Sequence, residues 1–286
     1  METFQLSEEL LKKIADLILA KKNTPLKKIV KDVHFADMAE IINELNEDQG
    51  IYLIKLFDSE KTSEILTELN EDVREKILKA LSVKEIADAF EELDSDDAAD
   101  ILGELSEKRK EEVISEISDN NLADDLKELL SYKEDSAGGL MAKELVLANE
   151  NWSITKCLKE IKKQGENVTR VHSIYVVDDK QKLIGRLSLK DLIISPAKKL
   201  IKDIYIPKVD SVNVFEDGEE VAKIMSKYDL EAIPVVDNKK QLVGRITIDD
   251  IIDFIKEEAE EDYLLAAGVQ GDVEADDSIL ELTKAR

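Results

Sequence analysis

The run Asp96-Asp97-Ala98-Ala99-Asp100 sets Asp96 and Asp100 four residues apart, so on a helix their carboxylates share one face. Carboxylates in that relation can hold a hydrated divalent cation directly or through its waters, and magnesium, which gives up water reluctantly, suits them. The same acids also follow a helix-capping Asp94, where negative charge complements the helix dipole whether or not an ion is present. An EF-hand loop would need a glycine after its third acid and a distal glutamate, and the spacing does not supply them. A second acidic group is denser. Residues 247–277 hold 12 acids and a single base, Lys256, and Asp250, Asp253, Glu258, Glu261 and Asp262 form its centre. Acids so crowded on one helix repel each other in water unless cations or a partner neutralise them. Asp217-Gly218-Glu219-Glu220, by contrast, reads from its own residues as an ordinary helix start.

Charge elsewhere supports the contrast. The chain of 286 residues carries a net −25, and residues 36–130 supply 29 acids against 10 bases. Outside the two acidic stretches the chain sums to about +5, so those stretches carry all of the excess. Such fields repel nucleic acid and anionic lipid and attract cations, although acid on a surface also simply keeps a protein in solution. One cysteine, Cys157, excludes an intrachain disulfide and a thiolate zinc site, and two histidines, His34 and His172, do not make a transition-metal centre. No nucleophile–base pair or redox motif stands out, so an enzyme is not expected. No signal peptide and no apolar run of about 20 residues is present, and the chain reads as soluble.

The elements that must position these acids are of two kinds. Leu45, Phe57, Leu69, Leu81, Leu93, Leu105 and Ile117 recur every 12 residues. Each precedes a helix-capping type: Asn46, Asp58, Asn70, Ser82, Asp94, Ser106 and Ser118. Ser82 with Glu85 makes a capping box. Between caps lie helix formers with apolar residues at helical spacing, which predicts short helices stacked as a superhelical array. Alternate repeats, 24 residues apart, are more alike still, as in Ala39 to Asp48 against Ser63 to Asp72.

At Ser136-Ala137-Gly138-Gly139 the helical pattern ends. Ile174-Tyr175-Val176-Val177-Asp178 and then Leu183-Ile184-Gly185-Arg186-Leu187-Ser188-Leu189-Lys190-Asp191 return 59 residues later as Ile233-Pro234-Val235-Val236-Asp237 and Leu242-Val243-Gly244-Arg245-Ile246-Thr247-Ile248-Asp249-Asp250. A helical stretch precedes each copy. Helix, strand, turn, strand, helix, given twice, predicts a tandem α+β module. Trp152, Tyr175 and Phe215 read as core or dimer contacts.

These repeats resemble paired CBS domains, whose signature is the Gly-x-x-[Ser/Thr]-x-x-Asp ending. The order of parts narrows the resemblance. An acidic helical array, then Asp135-Ser136-Ala137-Gly138-Gly139-Leu140-Met141, the CBS pair, and Glu258-Ala259-Glu260-Glu261-Asp262 together resemble the cytosolic part of the MgtE family of magnesium transporters and channels over nearly all of residues 36–286. In that family transmembrane helices follow, and this chain stops about where they would begin. The resemblance implies several magnesium ions held by Asp96 and Asp100 on the array, Glu64 as a further acidic position, and Gly139 through its backbone. It adds Asp217, Glu219, Ser226 (through its carbonyl) and Asp229, and it assigns Asp250, Asp253, Glu258, Glu261 and Asp262 to a connecting or plug helix. It also implies that Ser188, Lys190 and Asp191 could hold an adenine nucleotide such as ATP. The second copy puts Asp249 where Lys190 stands, which repels phosphate.

The expected fold is therefore an N-terminal superhelical array of short helices followed by a tandem CBS pair and an acidic connecting helix. Its expected boundaries are 1–132 for the array, 133–200 and 201–256 for the CBS domains, 249–270 for the connecting helix and 271–286 for a tail. The expected function is a magnesium-sensing regulatory region on the cytoplasmic side of a bacterial membrane, closing a pore when magnesium binds. Its partners would be a second copy, through apolar positions including Ile251, Ile252 and Ile255, and its own transmembrane domain, with no nucleic acid and no direct lipid binding. The rival reading is an adenylate-sensing adaptor whose array binds a protein, and the acidic connecting helix is the feature such a sensor does not need.

Overall fold

The computed structural model describes residues 6–165, 168 and 170–266. Two compact units divide the chain, Met1–Glu128 and Leu129–Arg286.

The first unit is helical: α1 (Glu8–Leu19), α2 (Asn23–Val30), α3 (Phe35–Asn43), α4 (Glu47–Ile54), α5 (Ser59–Thr67), α6 (Glu71–Ala80), α7 (Val83–Phe90), α8 (Ser95–Gly103), α9 (Glu107–Glu116) and the start of α10 (Asn120–Leu129). Helices two steps apart in sequence stack on one another: α3 on α5, α5 on α7, α7 on α9, and α4 on α6. This is the spatial form of the 24-residue likeness, since each stacking partner meets the same apolar face. Ile41 and Ile42, Ile65 and Leu66, and Ile77 and Leu78 are buried in that core.

The caps follow the expected places with instructive exceptions. Asn46, Asp58 and Ser82 accept from the amide three residues on, and Asn46 and Ser82 close full capping boxes. Asn70, Asp94 and Ser106 keep the cap position without a side-chain bond to the helix amides. Ser118 is not the cap expected of it. Its amide is taken by the Glu91 carboxylate, and the next helix starts two residues later, where Asp119 Oδ1 accepts from Asn121.

Nine of the ten bases in residues 36–130 are bonded within the unit. Lys55 donates to the Ala80 carbonyl at 2.7 Å, Lys61 to Val30 and Val33, Arg74 to Leu69, and Arg109 to Leu81. These carbonyls lie at or near helix C-termini, where a cation both fills a hydrogen bond and offsets the dipole. Lys79, Lys84, Lys108, Lys110 and Lys127 pair with acids on their own helices.

The second unit holds both α+β modules. The first contains β1 (Val146–Asn149), α11 (Ile154–Gln164), β2 (Ile174–Val177), β3 (Leu183–Leu187), α12 (Leu189–Ile194) and β4 (Ile206–Pro207). The second contains β5 (Val212–Asn213), α13 (Gly218–Tyr228), β6 (Ala232–Val236), β7 (Leu242–Thr247) and α14 (Ile248–Ala266). The sheets run β1-β2-β3-β4 and β5-β6-β7, each with a parallel first pair and an antiparallel hairpin. The 59-residue likeness extends to single bonds. Asp178 Oδ1 accepts from Lys180 and Lys182, and Asp237 Oδ1 from Lys239 and Gln241. Gln181 and Lys240 each take the left-handed backbone, with φ of 62° and 66°. The two hairpin turns then bond to each other, Leu183 N to Lys240 O at 3.1 Å and Leu242 N to Gln181 O at 3.0 Å. Cys157 packs in the first module's core with Val146, Ile154 and Ile174, and burial pushes its thiol up to about 11, so it is inert.

Candidate metal centre

In the first unit, Asp96 and Asp100 stand one turn apart in α8, and Asp96 Oδ1 also accepts from the Asp97 amide at 3.0 Å. Asp96 and Asp97 complement the dipole of the first turn, whereas Asp100 lies beyond it. Glu64 sits exposed on a different helix, α5. There its charge and those of Asp58 and Asp32 oppose the burial that lowers the Lys61 pKa.

In the second unit, α13 and α14 pack antiparallel, which sorts the candidate ligands into two groups. The start of α13 meets the middle of α14: a Cβ at Gly218 would lie 2.7 Å from Phe254 Cζ. The start of α14 is tied to the loop after α13 by a 3.0 Å bond from Ile248 N to Glu231 O. Asp217 and Asp229 cap opposite ends of α13, about 18 Å apart at 1.5 Å per residue, so they cannot serve one ion.

The loop 133–139 is stitched to the chain before α13. Ala137 donates to Glu216, Gly138 to Val214 and Gly218 to Asp135, all at 2.8 Å. Gly139 lies against main chain that leaves no room for a side chain, since a Cβ there would sit 2.5 Å from the Glu134 carbonyl and 2.6 Å from that of Lys133. Asp217 Oδ1 accepts from the Glu219 amide at 3.0 Å, and Glu219 pairs with Lys223 at the same distance. Glu258 follows Phe254 by one turn, on the side of α14 that meets Gly218. The start of α13 thereby gathers Asp217, Glu219, Glu258 and the backbone at Gly139. Sequence reasoning left two further charges of this place unassigned, Lys133 and Asp135, which pair at 2.5 Å. Their signal was adjacency to Ser136-Ala137-Gly138-Gly139.

At the far end, Asp229 ends α13 in the left-handed region, φ 50°, and Ser226 is in the last turn, where helix carbonyls lack amide partners. Asp250 lies on the first turn of α14, but one oxygen is engaged: Oδ2 accepts from the Thr247 amide at 2.8 Å and from its hydroxyl at 2.7 Å. Asp253 is one turn on and pairs with Lys256 at 2.6 Å. The side chains of Glu261 and Asp262 fall outside the described residues, as does the expected tail 271–286.

The two clefts of the signature motifs differ. In the first, Ser188 Oγ accepts from the Asp191 amide at 3.4 Å, Lys190 is exposed, and the Asp191 carboxylate has no protein partner among the described residues. In the second, burial opposes the charge of Asp249. Its own amide, Thr247, His172 and Arg170 outweigh that, and its pKa falls below the ordinary value. An ionised Asp249 keeps negative charge where a phosphate would lie. Trp152 packs against the first module's core under Lys156, Tyr175 is buried, and Phe215 is exposed edge-on to Tyr132. Among the described residues no helix is long and apolar enough to cross a membrane.

Comparison with known proteins places both units. Residues 33–135 match the family described as the MgtE intracellular N domain, and residues 137–197 and 201–257 match the CBS domain. The magnesium transporter MgtE of Thermus thermophilus is 41% identical over 131 residues, which is 46% of this chain and 29% of that protein. The chain therefore spans less than a third of that relative's length. Among solved structures, the soluble part of a magnesium transporter is 29% identical with a TM-score of 0.74, over 88% of this chain and 99% of that one. The cytosolic domain of the Mg2+ channel MgtE in complex with ATP is 30% identical with a TM-score of 0.78, over 85% of this chain and 99% of that one.

Proposed function

The chain belongs to the MgtE family of magnesium transporters and channels, and on that premise we propose that it is the magnesium-sensing cytosolic region of such a channel. Several ions would bind the carboxylates of α8, the two ends of α13 and α14. At high magnesium they screen the net −19 and −11 stretches and draw the array, the CBS pair and the connecting helix together. At low magnesium like charges repel and the parts separate, which in the whole protein opens a pore in its own transmembrane domain. Many weak sites that share carboxylates give the steep response a homeostatic sensor needs. The region would lie on the cytoplasmic side of a bacterial membrane, with the boundaries 1–132, 133–200, 201–256, 249–270 and 271–286 as its working parts.

The observation that carries this reading is the gathering of Asp217, Glu219, Glu258 and the Gly139 backbone at one end of α13, with Ser226, Asp229 and Asp250 at the other. A homodimer is part of the proposal. Ile252 and Ile255 are exposed on α14, and Leu189, Ile193 and Ile194 on α12, apolar side chains that a second copy would cover. Ile251 is buried within its own unit and drops out of that face. An adenine nucleotide is proposed for the first cleft only, on the unengaged Asp191 carboxylate beside Lys190. An adenylate-sensing adaptor is the second reading that this cleft favours.

The test is a magnesium titration read by melting temperature and by radius of gyration. Millimolar magnesium is expected to raise the first and lower the second, while sodium chloride at matched ionic strength does much less. Equal effects of the two salts would mean general screening, and the sensor reading would fail.

A further inference from the structure

The cluster at the start of α13 already contains a cation of its own. Lys133 Nζ lies 2.5 Å from Asp135 Oδ2. The loop carrying both is bonded to the chain on either side of Asp217, through Ala137 to Glu216 and through Gly218 to Asp135, and the bridge between Ser136 and Asp217 runs alongside. Phe254 closes on Gly218 and brings Glu258 to the same place. Carboxylates from three separate segments, Asp135, Asp217 and Glu258, thus lie within the field of one ammonium. The Lys133 pKa is raised accordingly, first by the hydrogen bond and charge of Asp135 and then by Asp217 and Glu258.

We infer that Lys133 is a tethered competitor for the divalent cation at Asp217 and Glu258, filling the cluster when magnesium is scarce and swinging out as the ion enters. The inference rests on the reading of this end of α13 as a magnesium site. A lysine suits the role because its ammonium is a compact charge on a flexible stem, and this one is well exposed and, among the described residues, pairs with Asp135. An exposed ion pair is worth little, so the lysine can be displaced, yet its charge must be displaced before the cluster accepts two more positive charges. At low magnesium it relieves repulsion among the three acids. Lys133 therefore sets the concentration at which this site responds.

The test uses the full chain, titrated with magnesium chloride and followed at the amide resonances of Gly218 and Gly139, which bracket the cluster. Lys133→Met keeps the length of the side chain and removes the charge, and it should lower the local magnesium midpoint about two- to fivefold. Lys133→Arg, which keeps the charge, should leave the midpoint near that of the unaltered chain. A Lys133→Met midpoint equal to or above the original would overturn the competitor role. Asp217→Asn with Glu258→Gln separates the two claims, since it should abolish the magnesium-dependent shift at Gly218. If that double variant titrates like the original, the site reading itself fails, whatever Lys133 does.

Discussion

The Asp250 carboxylate accepts from both the amide and the hydroxyl of Thr247, whereas Asp191, at the matching place in the first module, meets Ser188 only through its main-chain amide. One motif closes a helix cap and the other leaves an acid open. Asp250→Ala should therefore cost about 0.5–2 kcal/mol of stability and leave nucleotide affinity unchanged. Asp191→Ala should change stability by less than about 0.5 kcal/mol and weaken ATP binding about tenfold or more, as expected for a lost charged hydrogen bond. Thermal melts and calorimetric ATP titrations read the two effects. A loss of ATP binding in the Asp250 variant alone would reverse the assignment of the clefts.

Asp96→Ala with Asp100→Ala removes two of the three acids of α8, and because Asp96 is buried and accepts from the Asp97 amide, the stability cost should be about 0.5–1.5 kcal/mol. The variant should keep its helicity yet stay expanded at high magnesium. Asp253→Ala with Glu258→Ala thins the most repulsive helix and should compact the chain even without magnesium. Small-angle scattering across a magnesium series measures both. Superimposable curves for all three proteins would reduce these acids to a solvated surface.

Arg74 links three repeats of the array. It pairs with Glu104 at 2.5 Å and donates to the Leu69 carbonyl at 2.9 Å. Burial, together with the charges of Glu71 and Glu75, raises the Glu104 pKa more than Arg74 lowers it. Arg74→Ala should cost about 2–4 kcal/mol at neutral pH by stranding that carboxylate. With the folded-state pKa raised, Glu104 favours the folded chain when protonated and disfavours it as pH rises through that value. The deficit should therefore shrink on acidification. Urea midpoints at two pH values test this, with the exposed Lys79→Ala, expected within about 0.5 kcal/mol, as the control. A deficit that grows on acidification would contradict it.

Gly139→Ala places a methyl against two carbonyls of its own loop. Because those neighbours are main chain and not a movable side-chain tip, the cost should be about 1–3 kcal/mol. Hydrogen exchange should quicken at Ala137, Gly138 and Gly218, the amides that stitch the loop to the start of α13, and stay unchanged in α3 to α9. Unchanged protection at all three amides would show that the loop absorbs the methyl elsewhere.

Much of the architecture was legible because it rests on local rules repeated many times. Each 12-residue step carries an apolar closure and a cap, and the 59-residue copy carries turn residues such as Asp178 and Asp237 whose bonds are made within four residues. What stayed hidden depends on partners far along the chain. Ser118 has the right type for a cap, but Glu91, 27 residues away, takes its amide. Ile251 and Ile252 are both apolar, yet only packing tells which is buried. The candidate magnesium ligands followed one another in sequence as a single group, and the antiparallel course of α13 and α14 split them between two ends. Lys133 had only its adjacency to Ser136-Ala137-Gly138-Gly139 to mark it, and the acids that share its field come from separate segments that meet on folding.

The paired hairpin turns have a consequence for inheritance. Since Leu183 bonds to Lys240 and Leu242 to Gln181, each module completes the other's exposed edge, and either one cut out alone would carry unpaired main chain at its tip. Moving a single copy elsewhere would leave these turn groups to water and lose the register the two copies give each other. The two copies are thus tied to each other at the tips of their hairpins while their clefts differ, which favours their inheritance as a pair.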